Sequence, residues 1–279
     1  MKGRRWLLFT AGAVGAIFIF LILMLVFVPD HELQGIAERM LEREGYSLRA
    51  RQFGKVFPLG IKAVDLEIAG ERGVLLKAKE ATVRIGLLRL MTGKLLFTCR
   101  AVIGDGHIGV EYSPRNQDIH IESSGVRLED IPFFQTVADA RVKGDLRLNG
   151  SVGGKGKAAH GELRLEVKGA NVSGVKIGDM ALPDADYSLI QGMFREKGGV
   201  VMLDSFTFQG EGLYVRLKGD FPQATPFGDA PLNLSLELMP KPEFLERQKF
   251  VFLLLNKYLT TPGHYDIPVR GTLVKPLLQ

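Results

Sequence analysis

Residues 231–240 read Pro-Leu-Asn-Leu-Ser-Leu-Glu-Leu-Met-Pro: Leu232, Leu234, Leu236 and Leu238 alternate with Asn233, Ser235 and Glu237, and a proline closes the run. Successive side chains on an extended backbone point to opposite sides, so this stretch reads as a strand with one apolar and one wet face. The same alternation recurs upstream. Val64, Leu66 and Ile68 alternate with Asp65 and Glu67 up to Gly70; Leu163, Leu165 and Val167 alternate with Arg164 and Glu166 up to Gly169; Leu213, Val215 and Leu217 alternate with Tyr214 and Arg216 up to Gly219. Strand-like segments return every ~10–15 residues, each punctuated by Gly or Pro, with little helix between them. That spacing predicts a mainly β fold of antiparallel, meandering strands rather than βαβ units. The phrases at 142–150, 163–169, 215–220 and 269–273 resemble one another loosely, as a degenerate strand–turn repeat with no fixed period.

Two stretches depart from period two. Leu33, Ile36, Ala37, Met40 and Leu41 recur at helical spacing within 29–46, with Glu38, Arg39, Glu42 and Arg43 opposite and Gly45 as a stop. Pro242 to Tyr258 places Phe244, Leu245, Val251, Phe252 and Leu255 on a wide apolar face behind an N-terminal Pro, which predicts one helix over 242–258. A shorter helical turn falls within Glu129–Ala140, and 129–141 is a candidate sub-boundary in the β-rich body, 47–279. The expected architecture is a long twisted or trough-like sheet with an amphipathic helix near each end.

Such a sheet poses a physical problem. A dozen amphipathic strands present an apolar face, and few helices are on hand to cover it. Either the sheet closes on itself as a barrel or sandwich, or it forms a trough filled by side chains or by something else apolar. The thirteen residues expected to line this core or groove face are Val64, Leu66, Ile68, Leu163, Leu165, Val167, Leu213, Val215, Leu217, Leu232, Leu234, Leu236 and Leu238.

The N-terminus narrows what could fill it. Trp6 to Val28 is an uninterrupted apolar run behind Lys2, Arg4 and Arg5. As a helix its roughly 23 residues cover about 34 Å, enough for a hydrocarbon core of about 30 Å. The run exceeds a signal-peptide core and ends in Val26-Phe27-Val28-Pro29 without a small-residue cleavage pair, so it reads as an uncleaved anchor. Cations before the span and Asp30 and Glu32 after it keep residues 1–5 cytoplasmic and send residues 30–279 across the membrane. A bacterial inner membrane with a periplasmic body fits this layout.

Charge and chemistry exclude several classes. Of 36 Lys and Arg residues, three precede the run; the other 33 face 31 Asp and Glu, so the net +5 falls to +2 for the body. With no basic block, nucleic acid is excluded as a partner. One cysteine, Cys99, rules out an intramolecular disulfide framework. Gly104 to Gly109 matches GxGxxG but is followed by a strand pattern, where a dinucleotide site needs a helix. Gly153-Gly154-Lys155-Gly156-Lys157 has Ala158 where a phosphate loop needs Ser or Thr. His31, His107, His120, His160 and His264 lack metal-ligand spacing, Cys99 has no nearby base, and Asp184 and Asp186 flank a turn. No catalytic, cofactor or metal site is expected, and the chain does not read as an enzyme.

The residues also carry a family resemblance. A short basic N-terminus, one span, an amphipathic helix ending in Gly, and then Phe-Pro-Leu-Gly-Ile-Lys-Ala-Val-Asp-Leu-Glu-Ile (57–68) resemble the opening of the type II secretion system protein N (GspN) family. Tyr-Asp-Ile-Pro-Val-Arg-Gly-Thr-Leu-Val-Lys-Pro-Leu-Leu (265–278) is similar to that family's closing signature. Residues 87–95 and 217–221 resemble the wider AsmA-like and TamB-like envelope proteins. The resemblance spans nearly the whole chain on soft motifs of Pro, Gly and alternation. It implies a non-enzymatic accessory component of the type II protein secretion system, in contact with other inner-membrane or periplasmic subunits. Its alternative implication is an AsmA-like protein that binds or transfers phospholipid along an apolar β-groove.

Overall fold

The computed structural model describes Phe27 and residues 29–154, 158–174, 176–177, 180–181, 184–222, 230–272 and 275–278. The apolar run 6–28, Phe27 apart, and Lys2, Arg4 and Arg5 lie outside the described residues, as does most of the Gly153–Lys157 turn. Among the described residues, no helix is long and apolar enough to cross a membrane.

Helix α1 (Asp30–Arg43) lies along a broken edge strand, β1 (Ser47–Arg49) and β2 (Gln52–Val56). Then come β3 (Gly60–Gly70), β4 (Gly73–Ile85), the short helix α2 (Leu87–Met91), β5 (Phe97–Ile103), β6 (Gly106–Ser113), β7 (Asp118–Ser124) and β8 (Val126–Arg127). A 3-10 turn at Leu128–Asp130 and α3 (Phe133–Ala138) lead into β9 (Arg141–Gly153) and β10 (His160–Ser173). A small separate hairpin, β11 (Lys176–Ile177) and β12 (Met180–Ala181), precedes β13 (Ala185–Lys197), β14 (Val200–Gly210), β15 (Leu213–Pro222) and β16 (Asn233–Pro240). Helices α4 (Pro242–Arg247) and α5 (Lys249–Leu254) and a 3-10 turn at Asn256–Tyr258 follow, then β17 (Leu259–Thr261), β18 (His264–Gly271) and β19 (Pro276–Leu278).

All strands but the small hairpin form one 17-stranded sheet. Pairing is antiparallel throughout and follows the chain: β3 to β4, β5, β6 and β7, then β9, β10, β13, β14, β15, β16 and β18. One edge is β1–β2 on β3; the other is β17 and β19 on β18. Among the described residues these edges do not pair with each other, so no closed barrel forms there. The pairing also passes uninterrupted from β7 to β9, so 126–138 is an excursion at one end of the sheet rather than a break in it.

Tight turns set the register. Gly198 and Gly199, at φ 65° and 86°, form the two-residue turn between Lys197 and Val200. Two positive-φ positions in succession are the geometry that matches hairpin twist, and glycine adopts them without steric cost.

Because the strands alternate in direction, all turns fall at two ends. The basal end carries the Phe57–Leu59 turn and α2; the distal end carries the Gly70–Gly73 hairpin, the 126–138 excursion and α4–α5. The core runs along β15, β16 and β18 and gathers again at the distal end. Ile103 and Val126 are fully buried there, and Phe252 and Leu255 of the helical segment are 3% and 1% exposed. Phe252 packs at 5.1 Å on Tyr265 and 6.2 Å from Phe244, whose ring occupies the space beside Gly212. Each such ring or aliphatic side chain contributes about 1.5–3 kcal/mol by leaving water.

The single helix expected over 242–258 is instead α4, α5 and a 3-10 turn, with the chain turning at Gln248 (φ −108°, ψ 27°). In one continuous helix Phe244 and Phe252 would sit about 80° apart around the axis. The break lets both rings face the end of the sheet.

Candidate functional site

The register carries one apolar row across the whole sheet. Ile61, Val83, Cys99, Val110, Ile121, Gly150, Leu163, Phe194, Leu203, Gly219, Leu234 and Val269 are successive cross-strand partners. Eleven steps of about 4.8 Å make this row roughly 53 Å long. A second row runs Leu148, Leu165, Gly192, Phe206, Leu217, Leu236 and Ile267, and a third runs Leu146, Val167, Ile190, Phe208, Val215, Leu238 and Tyr265. Leu213 lies opposite Pro240 at the distal end, and Leu232, just before β16, donates its N–H to the Gly271 carbonyl. Leu163, Leu165, Val167, Leu213, Val215, Leu217, Leu232, Leu234, Leu236 and Leu238 therefore share one face, here called the inner face.

Val64 does not. It pairs with Glu80, which binds Lys62 at 2.7 Å on the opposite, polar face. Asp65 adopts φ 50° between Val64 and Leu66. That left-handed residue rotates the strand, so the buried set changes from Ala63 and Ala81 to Leu66 and Ala78. Ile68, opposite Leu76, follows Leu66 on the inner side. The parity change from Ile61 and Ala63 to Leu66 and Ile68 is the sequence signal that marks the flip.

Cover over the inner face is uneven. In the long row, Leu203, Leu234 and Val269 are buried, whereas Ile61, Val83, Cys99, Val110, Ile121, Leu163 and Phe194 are only half-buried. One row nearer the basal end, Phe97 and Tyr112 stack at 6.3 Å, both half-buried, and Ile119 is exposed. Phe194 and Phe206 meet at 6.0 Å, and Phe206 and Phe208 at 5.0 Å. The partly covered strip spans β3 to β13, roughly 34 Å at about 4.8 Å per strand. Its side chains keep part of their surface in water, where an apolar occupant would cover them. The aromatics Phe97, Tyr112, Phe194, Phe206 and Phe208 were not among the residues singled out by alternation. Register shifts between Tyr187 and Leu189, and again between Met193 and Phe194, break the period in β13. The Phe206-Thr207-Phe208 step was the signal to follow.

The polar face is self-neutralised. Besides Lys62–Glu80, Lys77 binds Glu67 at 2.7 Å, Arg195 binds Asp204, and Glu237 takes Lys218 at 2.5 Å and Arg216 at 3.3 Å. The Lys62 hydrogen bond holds the Glu80 carboxyl below its ordinary range, and the Asp204 hydrogen bond raises the Arg195 guanidinium. Two shallow depressions, about 610 and 830 Å³, open on this face. The first is lined by Glu122, Arg147, Arg164 and Glu166, whose signs alternate, and Arg164 is already bound to Glu162 at 2.5 Å.

Inner-face groups titrate away from neutrality. Burial pushes the Tyr187 phenol up to about 12 and raises the Cys99 thiol, which lies half-buried between Val83 and Val110. Gly104 and Asp105 form the tip of the β5–β6 hairpin, and strand follows. Asp184 accepts the Gly174 N–H at 3.0 Å, and Asp186 accepts from the Asn171 amide at 2.6 Å, so both carboxylates brace the β10–β13 connection. Among the described residues, no three His, Cys, Asp or Glu side chains converge as a metal site. The arrangement is built for apolar contact. No protein-family model, curated protein or solved structure matches this chain.

Proposed function

We propose that this chain is a non-enzymatic envelope protein, anchored in a bacterial inner membrane by residues 6–28, whose periplasmic sheet is a trough for phospholipid acyl chains. One observation carries the reading: the inner face stays apolar from Ile61 to Phe194 yet is only partly buried, while the distal end is plugged. Acyl chains match such a surface, since apolar area removed from water contributes about 25 cal/mol per Å² and needs no hydrogen-bond partner. An adjacent bilayer supplies them. The resemblance to AsmA-like proteins supports the same use.

A second reading, an accessory subunit of the type II secretion system, is favoured by where its resemblance falls. Residues 57–68 form the turn into β3 and most of β3, one strand in from the β1–β2 edge, and residues 265–272 and 275–278 supply β18 and, at the opposite edge, β19. Edge strands carry unpaired backbone groups and suit subunit contact. In this reading the trough serves within the secretion machine.

Photo-crosslinking in cells tests the proposal. A photo-reactive residue at Phe194, on the inner face, is expected to yield lipid adducts, and one at Gln191, on the polar face, is not. Equal adducts at both, or protein adducts alone at Phe194, would overturn the trough and leave the subunit reading.

A further inference from the structure

We propose that the basal corner of the sheet, formed by the Phe57–Leu59 turn and the β4–β5 connection, docks on an anionic membrane surface; this rests on the reading that residues 6–28 insert as an anchor. Three observations meet there. First, α1 begins at this corner. Asp30 lies 3.7 Å from Lys55, two residues before Phe57, and the apolar run ends directly before Pro29. At no more than about 3.6 Å per residue, a connection this short cannot hold the corner far from the bilayer. Second, apolar groups project there: Phe57 is 84% exposed at the tip of its turn. Third, the β4–β5 connection is cationic. Arg89, Lys94 and Arg115 are exposed, and residues 56–60 and 85–97 contain no acid. An aromatic tip on the same end as a cationic turn is the pattern of a headgroup contact, with the ring at the interface and the cations on anionic lipid. Behind this corner the half-buried inner face begins, at Ile61, Val83 and Phe97, so docking brings it against the acyl layer.

The distal end offers a rival. Phe250, Leu253 and Leu254 of α5 are 85%, 58% and 73% exposed, beside Lys249 and Lys257. It lies a strand's length away, roughly 40 Å at about 3.3 Å per residue, so the two surfaces cannot both rest on one flat membrane with the strands upright. The start of α1, at Asp30 beside Lys55, favours the basal corner.

The full chain in vesicles of phosphatidylcholine with phosphatidylglycerol separates them. In a Cys99→Ser background, an environment-sensitive dye on Phe57→Cys or on Leu254→Cys is read with nitroxide-lipid quenchers. Quenching is expected at position 57 and not at 254. Lys94→Gln or Arg115→Gln, or omission of phosphatidylglycerol, should weaken it, by roughly fivefold in the docked-to-free ratio for each cation removed. Quenching at 254 instead, none at 57, or quenching at 57 indifferent to anionic lipid would overturn the proposal. So would protection of position 57 that rises with protein density, which would mean a second copy covers it. A photo-reactive residue at position 57 with Cys99 intact gives a second readout, lipid adducts supporting docking and their absence overturning it. Lipid adducts at Phe194 without quenching at 57 would remove the docking and spare the trough; the reverse pattern would remove the trough and spare the docking.

Discussion

Leu165 and Leu236 lie in the same cross-strand row with three strands between them, yet their surroundings differ. Leu236 is 6% exposed, with Leu217 and Ile267 on either side. Leu165 is half-buried, and one of its two neighbours is Gly192, which offers no side chain. Leu236→Ala opens a cavity in packed core and should cost about 3–4 kcal/mol, within the range of closed sites. Leu165→Ala removes carbons that already meet solvent or a bound chain, and should cost about 1 kcal/mol. Urea unfolding followed by the sheet's circular dichroism resolves this. At a slope of about 2–3 kcal/mol per M, the two midpoints should separate by roughly 1 M. Glu166→Gln is the polar-face control, expected within about 0.5 kcal/mol. Glu166→Lys is a poorer control, because it sets a third cation beside Arg147 and Lys168. Equal losses at Leu165 and Leu236 would mean that the inner face is covered throughout, and the reasoning from its exposure would fail.

Further outcomes follow from particular contacts. Glu237→Gln should destabilise by about 2 kcal/mol in the same assay, less than a fully buried pair because Arg216 and Lys218 reach solvent. An unchanged midpoint would show that the cations lose nothing with their carboxylate. Gly106→Ala would place a Cβ 2.2 Å from the Gly125 carbonyl carbon, so the β5–β6 hairpin must part from the Gly125 turn. A loss of about 3 kcal/mol is expected, and a neutral substitution would refute that packing. Cys99 offers a pH readout. Its thiol is raised above the ordinary 9.0 by burial, so the reactive thiolate is scarce at neutral pH and grows only above that value. Maleimide labelling should be slow at neutral pH, and faster in the delipidated chain than in the lipid-loaded one; indifference to lipid would count against an occupied inner face.

Much of this was legible in the chain, for physical reasons. Leu232 to Leu238 and Leu163 to Val167 declare a shared face without knowledge of their partners, because alternate side chains on a strand point one way whatever they pair with. The meander was legible because short Gly- and Pro-bounded connections leave no room for crossovers. Departures came where one residue breaks the period. Asp65 in a left-handed conformation sent Val64 to the polar face, and the bulges in β13 concealed Phe194. The break at Gln248 was hidden because an apolar face of helical period fits one helix as well as two. The basal corner was the least legible. Phe57, Arg89, Lys94 and Arg115 are scattered in sequence and meet only because antiparallel pairing gathers their turns at one end.

The most direct measurement is native mass spectrometry of residues 30–279, exported to the periplasm and purified without detergent. Phospholipid travelling with the domain in fixed ratio, and lost on Phe194→Asp, is what an inner face open to acyl chains predicts. A stable, lipid-free domain would contradict it and leave protein contact as the work of the sheet.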